Sequence, residues 1–134
     1  MARKELTYVV EAEGRDKGKH FFIREMSASQ AEEWAMRALM ALAKAGVEMP
    51  DEFANAGLAG IAAGGFQAMG RMHFSDLKPL LDEMMACVQF IPDPSKPMVK
   101  RPLIEDDIEE PFTRLRLRKE VFELITGFSL AAAA

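Results

Sequence analysis

The stretch "LTYVVEAEGRDKGKHFFIRE", residues 6–25, contains two short runs rich in β-branched and aromatic side chains. These runs are residues 6–12 and 20–25, and the polar segment between them includes Gly14 and Gly18. Two such runs around a glycine-containing turn are typical of a β-hairpin. Because an isolated two-stranded ribbon is only marginally stable in water, we expect the hairpin to pack on the rest of the chain. The alternative is that its free edges accept a strand from another chain.

Residues 27–46 are predicted to form an amphipathic helix. Ser29 and Glu32 have the spacing of a capping box, and Gly46 marks the end of the pattern. Apolar side chains recur on one helical face, at Ala31, Trp34, Ala35, Ala38, Leu39 and Leu42. We expect this face to pack against the core.

The segment 53–72 combines a helical pattern with many glycines. Its stretch "GLAGIAAGGFQAMG", residues 57–70, lacks the spacing of a phosphate-binding loop, and no clear strand precedes it as a dinucleotide site requires. The segment is long enough to span a membrane, but Asn55, Gln67 and Arg71 insert poorly into one. We therefore predict a helix whose small residues allow close approach of a neighbouring helix.

Two further helices are predicted, over residues 74–90 and 104–128. The first has its apolar face at Leu77, Leu80, Leu81, Met84, Met85 and Val88. The second carries two apolar stripes, one at Ile108, Phe112, Leu115 and Phe122 and the other at Leu117, Val121, Leu124, Ile125 and Phe128. Residues 91–102, between them, hold four prolines and are predicted to be an extended connector.

The predicted fold class is mainly α, with an N-terminal β-hairpin followed by a compact bundle of about four helices. A length of 134 residues suits one domain. We assign it the hairpin (1–26), a helical core (27–90), a proline-rich connector (91–103), a C-terminal helix (104–129) and a tail (130–134).

Composition excludes several classes of function. The net charge of −4 argues against a nucleic-acid partner, which requires a basic surface. The single cysteine excludes an intrachain disulfide and a cysteine-based zinc site within one chain. The N-terminus has no apolar run of the signal-peptide type, so we expect a cytosolic protein with no membrane partner.

The sequence shows no arrangement of catalytic residues. Cys87 lies beside an apolar helical stripe without a nearby base, whereas a reactive thiolate needs an electropositive setting. His20 and His73 are isolated, and the carboxylates at 105–110 lack the alternating ligands of a calcium loop. We therefore predict no catalytic, cofactor-binding or metal-binding residues, and a protein that is not an enzyme.

Ten methionines in 134 residues are a generous number. Flexible thioethers suit surfaces that accommodate apolar segments of a partner, although methionine also fills ordinary cores. Because apolar helical surface is plentiful and catalytic chemistry is not visible, the sequence favours a binding protein.

The order of these segments resembles the tail assembly chaperones of long-tailed bacteriophages. Four stretches carry the resemblance together: "MSASQAEEWAMRALMAL", "GLAGIAAGGFQAMG", "LKPLLDEMMACV" and "RPLIEDDIEEPFTRLRLRKEVFELITGFS". They cover most of residues 20–129, and they are packing patterns rather than catalytic motifs.

The resemblance implies a small, mainly helical protein of the host cytoplasm that is absent from the mature virion. Such chaperones bind the tape measure protein and keep it soluble while tail tube subunits assemble around it. The resemblance also implies contact with the tail tube protein through a longer frameshifted form, and homo-oligomers.

An apolar groove between segments 53–72, 74–90 and the C-terminal helix is the predicted partner site, because unassembled tape measure helices would expose apolar faces. The residues predicted to bind the partner are Leu58, Ile61, Phe66, Met69, Met84, Met85, Phe122 and Phe128. The alternative function is a structural virion component, either a tail-completion or a head–tail connector protein.

Overall fold

The computed structural model describes residues 3–46 and 66–133, and the side chains of residues 3–46 and 68–126. The described strands are β1 (Glu5–Val9), β2 (His20–Arg24), β3 (Val88–Ile91) and β4 (Arg101–Pro102). The described α-helices are α1 (Ala28–Lys44), α2 (Phe74–Met85) and α3 (Pro111–Ala133). Short 3-10 helices cover Phe66–Arg71 and Glu105–Asp107.

The strands form one antiparallel sheet in the order β1–β2–β3–β4. The predicted mainly α fold with a compact bundle of about four helices is therefore wrong, since the described chain combines a four-stranded sheet with three α-helices. Two strands from the second half of the chain, β3 and β4, extend the hairpin on its β2 side. They supply the lateral support that a two-stranded ribbon lacks.

The predicted hairpin is confirmed. Tyr8 lies opposite Phe21 in the β1–β2 register, and the connecting loop uses positive φ angles at Gly14 and Gly18. Alternate side chains of β2 point into the core, so that Phe21 and Ile23 are fully buried. The hairpin thus packs on its own chain, as we expected.

The helix α1 confirms the prediction for residues 27–46 with one correction at its start. Ser27, not Ser29, is the N-cap, and its hydroxyl oxygen accepts a hydrogen bond from the Gln30 N–H at 3.3 Å. Both serines suit this role, and the one that precedes the first helical turn fulfils it. Gly46, with φ of 86°, lies just beyond the helix end.

The helix predicted over residues 74–90 ends at Met85, and the chain then enters β3. The backbone N–H of Cys87 donates to the Met84 carbonyl at 3.1 Å in the turn between the two elements. Val88 extends the apolar helical spacing, but it also begins "VQFI", a run with strand propensity. Pairing with β2 decides between the two, because it buries Val88 and Ile91.

The hairpin loop holds the start of α3. The carboxylate of Asp16, which is 1% exposed, accepts hydrogen bonds from the N–H groups of Glu109 and Glu110, both at 2.9 Å. Lys19 Nζ lies 2.8 Å from the same carboxylate. Pro111 then begins the helix, where the missing N–H of proline has no cost. Asp16 is therefore a long-range substitute for a local helix cap.

The pKa of Asp16 reflects these contacts. Burial raises it, but the hydrogen bonds from Lys19, the Glu109 N–H, the Thr113 hydroxyl and the Glu110 N–H outweigh burial and lower it to about 2. The pKa of Lys19 is raised despite burial, because it binds the carboxylates of Asp16 and Glu109. The loop and the helix start therefore form one ionised network.

The structure selects one of the two predicted stripes of α3 for the core. Leu117, Val121 and Ile125 of the second stripe are buried, whereas Phe112 and Leu115 of the first stripe are exposed. Phe122 is buried as well, with its ring 6.3 Å from that of Trp34. The helix begins at Pro111 rather than at residue 104 and continues to Ala133, beyond the predicted end at residue 128.

The predicted helix over residues 53–72 lies mostly outside the described residues. Its described end, Phe66–Arg71, is a 3-10 helix. Met69 and Met72 in this segment are buried in the core. Of the predicted proline-rich connector, Ile91 belongs to β3 and Arg101–Pro102 forms β4.

Candidate partner-binding surface

Four of the predicted partner-binding residues lie in the core of this chain. Met69, Met84, Met85 and Phe122 are at most 8% exposed and belong to one cluster of buried side chains. The structure therefore brings them together, but as internal packing rather than as the wall of an open groove.

The other four predicted partner-binding residues cannot be placed. Leu58 and Ile61 lie outside the described residues, as do the side chains of Phe66 and Phe128.

Exposed apolar surface is present instead on α1 and at the start of α2. Met36 and Met40 are 46% and 68% exposed, and Phe74 is 68% exposed. Met36 and Met40 are four residues apart and thus lie on the same side of α1. The sequence already contained this signal, because neither methionine belongs to the predicted core face of α1.

A groove of about 460 Å³ runs between α1 and α2 beside Met40. Its residues come from both helices and are mostly apolar where they meet the groove: Arg37, Met40, Ala41, Lys44, Ser75, Asp76, Pro79 and Leu80. Pro79 is the sixth residue of α2 and has no N–H to donate to the Ser75 carbonyl, and the helix nevertheless continues to Met85. We call this feature the α1–α2 groove.

Two ion pairs connect the helices along the α1–α2 groove. Arg37 of α1 binds Glu83 of α2, and Lys44 Nζ lies 3.2 Å from the Asp76 carboxylate. The hydrogen bond to Glu83 raises the pKa of Arg37 further above neutral pH. The groove is thus an apolar channel with charged groups of both signs at its borders, which suits an amphipathic segment better than a small charged metabolite.

The two helices are also joined beneath the groove. The buried indole N–H of Trp34 donates to the Leu80 carbonyl at 3.1 Å. Because this hydrogen bond joins α1 and α2 in the core, the floor of the groove is preorganised, and this chain loses less conformational entropy when a partner binds.

A second cavity, of about 630 Å³, lies between β3, the end of α2 and the chain around Ile104, and Cys87 borders it. Burial raises the pKa of the Cys87 thiol to about 11, and its Sγ lies 3.6 Å from the Glu83 carbonyl. A thiol with so high a pKa is a poor nucleophile at neutral pH. This cavity therefore lacks the activated sulfur that covalent chemistry would need.

Two of the remaining candidates for chemistry, His20 and Asp107, have structural partners. A ring nitrogen of His20 lies 3.0 Å from the Gly18 carbonyl. The guanidinium of Arg101 binds both carboxylate oxygens of Asp107, at 2.8 and 2.7 Å. In the part of the chain that the structure describes, no group of three or more His, Cys, Asp or Glu residues is placed to hold a metal ion.

The length and apolar character of the described helices can be compared with those of a membrane-spanning helix. Within residues 3–46 and 66–133, no helix is both long enough and apolar enough to cross a bilayer.

The fold and the α1–α2 groove define a protein of mixed α and β structure, with an antiparallel sheet and an open apolar surface. Comparison of the chain with known proteins finds no matching family model, no matching curated protein and no matching solved structure.

Proposed function

We propose that this protein is a tail assembly chaperone of a long-tailed bacteriophage, which binds the tape measure protein and keeps it soluble while tail tube subunits assemble around it. The observation that carries the proposal is the α1–α2 groove with Met40 exposed at its border. The resemblance of four sequence stretches to such chaperones supplies the identity of the partner.

The chemistry of the groove fits an apolar helical partner. Met40 at the groove, and Met36 and Phe74 elsewhere on α1 and α2, expose flexible or flat apolar surface that can adapt to different side chains of a long helix. The tape measure protein would place its apolar stripe along the groove, and its flanking polar residues would meet Arg37 and Lys44 at the borders. Covering that stripe prevents its aggregation, which is the task of a chaperone.

The same proposal fixes where the protein acts and with which other chains. It works in the host cytoplasm, is absent from the mature virion, and contacts the tail tube protein through a longer frameshifted form. The alternative, a tail-completion or head–tail connector protein, predicts the opposite location. Mass spectrometry of purified virions distinguishes the two, because a connector is present in the particle and a chaperone is not.

The direct experiment is co-expression of the full chain with the tape measure protein of the same phage. Met40→Glu should lower the soluble yield of the tape measure protein, while glutamate preserves helix propensity in α1. Loss of one buried methionine side chain from the complex costs about 2 kcal/mol, or roughly thirtyfold in affinity.

Met98→Glu is the matched control. Met98 is 85% exposed but lies outside the groove, between β3 and β4, so that the same substitution there should leave solubility unchanged. Equal solubility of the tape measure protein with wild type and Met40→Glu would refute the groove as its binding site. Equal loss with both variants would show that exposed methionine in general, not the groove, is responsible.

A further inference from the structure

The strand β1 forms one edge of the sheet and differs from the opposite edge. The edge strand β4 is only Arg101–Pro102, and Pro102 has no N–H to offer to another strand. The strand β1 is five residues long and contains no proline. A regular edge strand of this kind is a template for pairing with a further strand.

Two hydrogen bonds fix which peptide groups of β1 face outwards. The Val10 N–H donates to the Lys19 carbonyl at 3.0 Å, and the Glu25 N–H donates to the Lys4 carbonyl at 2.9 Å. The backbone peptide groups of residues 4 and 10 therefore both point towards β2. Because this direction alternates along an antiparallel strand, the peptide groups that face away from β2 are those of Glu5, Thr7 and Val9.

A groove of about 640 Å³ accompanies this edge. Residues 7–9 of β1 form one side of it, and Arg116 and Glu120 of α3 form the other. On the core-facing side of β1, Leu6 and Tyr8 are only partly buried. A strand added at the edge would complete the burial of both side chains.

We propose that β1 pairs with β1 of a second copy of this chain, antiparallel and about a two-fold axis at Thr7, so that two four-stranded sheets become one sheet of eight strands. This inference is independent of the proposed function. The contact is isologous and closes on itself, so it produces a dimer rather than an open filament.

The side chains of β1 complement each other in this register. Thr7 faces Thr7 of the second copy, Glu5 faces Val9, and Leu6 faces Tyr8. Threonine pairs and aliphatic–aromatic pairs are favourable across antiparallel strands. No two like charges face each other.

Charges beyond the ends of the strand favour the same register. With the axis at Thr7, Arg3 of each copy faces Glu11 of the other. With the axis at Glu5, the two Glu5 carboxylates face each other, and with the axis at Tyr8, Glu5 faces Glu11. Both alternatives place like charges opposite each other, which destabilises the pairing. An axis at Leu6 avoids this repulsion but loses both Arg3–Glu11 pairs.

The α3 side of the groove beside β1 also carries charges of both signs. A two-fold axis perpendicular to the sheet places both copies of α3 on the same face of the joined sheet. Each copy contributes one cation, Arg116, and one anion, Glu120, to the groove beside β1. The joined grooves would therefore hold equal numbers of cations and anions from these two residues.

Residue 7 allows a sharp test, because it is the residue that meets its own copy at the axis. The full-length chain should have, by sedimentation equilibrium, a mass that rises with concentration to twice the 14.9 kDa of one chain. Thr7→Lys and Thr7→Glu should each remain monomeric, since like charges then meet at the axis. An equimolar mixture of the two variants should recover the dimer, and Thr7→Val, which keeps the shape, should dimerise as wild type does.

Several results would overturn the proposal. These are a monomeric wild-type chain at all concentrations, dimers of the single charged variants as stable as those of wild type, or a mixture that stays monomeric. Circular dichroism of each variant verifies its fold, which should persist because Thr7 is exposed and its N–H does not bond to β2.

Discussion

The buried carboxylate of Asp16 permits a quantitative test of how the hairpin loop is attached to α3. Replacing Asp16 with alanine removes the acceptor of two backbone N–H groups and the partner of Lys19. Lowering the pKa of Asp16 from 3.8 to about 2 corresponds to about 2 kcal/mol of stability at neutral pH. The hydrogen bonds from the Glu109 and Glu110 N–H groups already contribute to this shift, so their loss is not added to it. We therefore expect Asp16→Ala to lower the free energy of unfolding by about 2 kcal/mol.

Urea unfolding followed by the fluorescence of Trp34 measures this loss, because Trp34 is the single tryptophan and is fully buried. Asp106→Ala is the control, since Asp106 is an exposed aspartate in the acidic segment before α3. Its substitution should change the unfolding free energy by no more than about 0.5 kcal/mol. Equal effects of the two substitutions would refute the capping role of Asp16.

The dependence on pH gives a second measurement of the same contact. A folded-state pKa below the unfolded one contributes stability that is complete above the unfolded pKa and is lost as pH falls through the folded pKa. The Asp16→Asn variant has an amide at this position and therefore no carboxyl group that titrates. The difference in unfolding free energy between wild type and Asp16→Asn should therefore be constant near neutral pH and about 1 kcal/mol smaller by pH 3. A difference that stays constant over this range would contradict the assigned pKa.

Two further predictions concern packing and reactivity. Leu117→Ala should destabilise the fold by about 3 kcal/mol, because Leu117 is fully buried. Leu115→Ala, at a site 47% exposed, should cost less than about 1 kcal/mol. Urea unfolding compares the two variants, and equal losses would mean that α3 packs with a different face. Cys87 should react with a disulfide reagent at least about tenfold more slowly than a model thiol of pKa 9.0, because burial raises its pKa to about 11 and limits access to its sulfur. Spectrophotometric titration of the native and the urea-unfolded chain checks this, and an equal rate in both states would disprove the protection.

The elements that could be predicted from the sequence are those encoded by local pattern. The hairpin follows from two strand-forming runs around Gly14 and Gly18, and α1 follows from a regular apolar face that ends near Gly46. These signals agree with each other within one segment. The structure therefore confirms both elements.

The sheet beyond the hairpin could not be predicted in this way. Residues 88–91 fit the apolar spacing of a helix and the composition of a strand, and only pairing with β2 decides between them. The two residues of β4 are too few to produce a pattern. The Asp16 cap joins residues more than 90 positions apart, which no local signal reveals.

The exposed apolar residues could not be identified from composition alone. An excess of methionine indicated adaptable apolar surface, but the residues selected for it included Met69, Met84 and Met85, which the core requires. A count of methionines does not distinguish exposed from buried ones, because the two differ only in the face of the element that they occupy. Applying the predicted core face of α1 to Met36 and Met40 would have separated them.

Hydrogen–deuterium exchange of the chain with and without the tape measure protein tests most directly whether the α1–α2 groove binds that partner. We expect slower exchange in the second half of α1, around Met40, and in the first turns of α2, and we expect Met40→Glu largely to abolish this protection. Unchanged exchange in both helices on formation of a stable complex would contradict it.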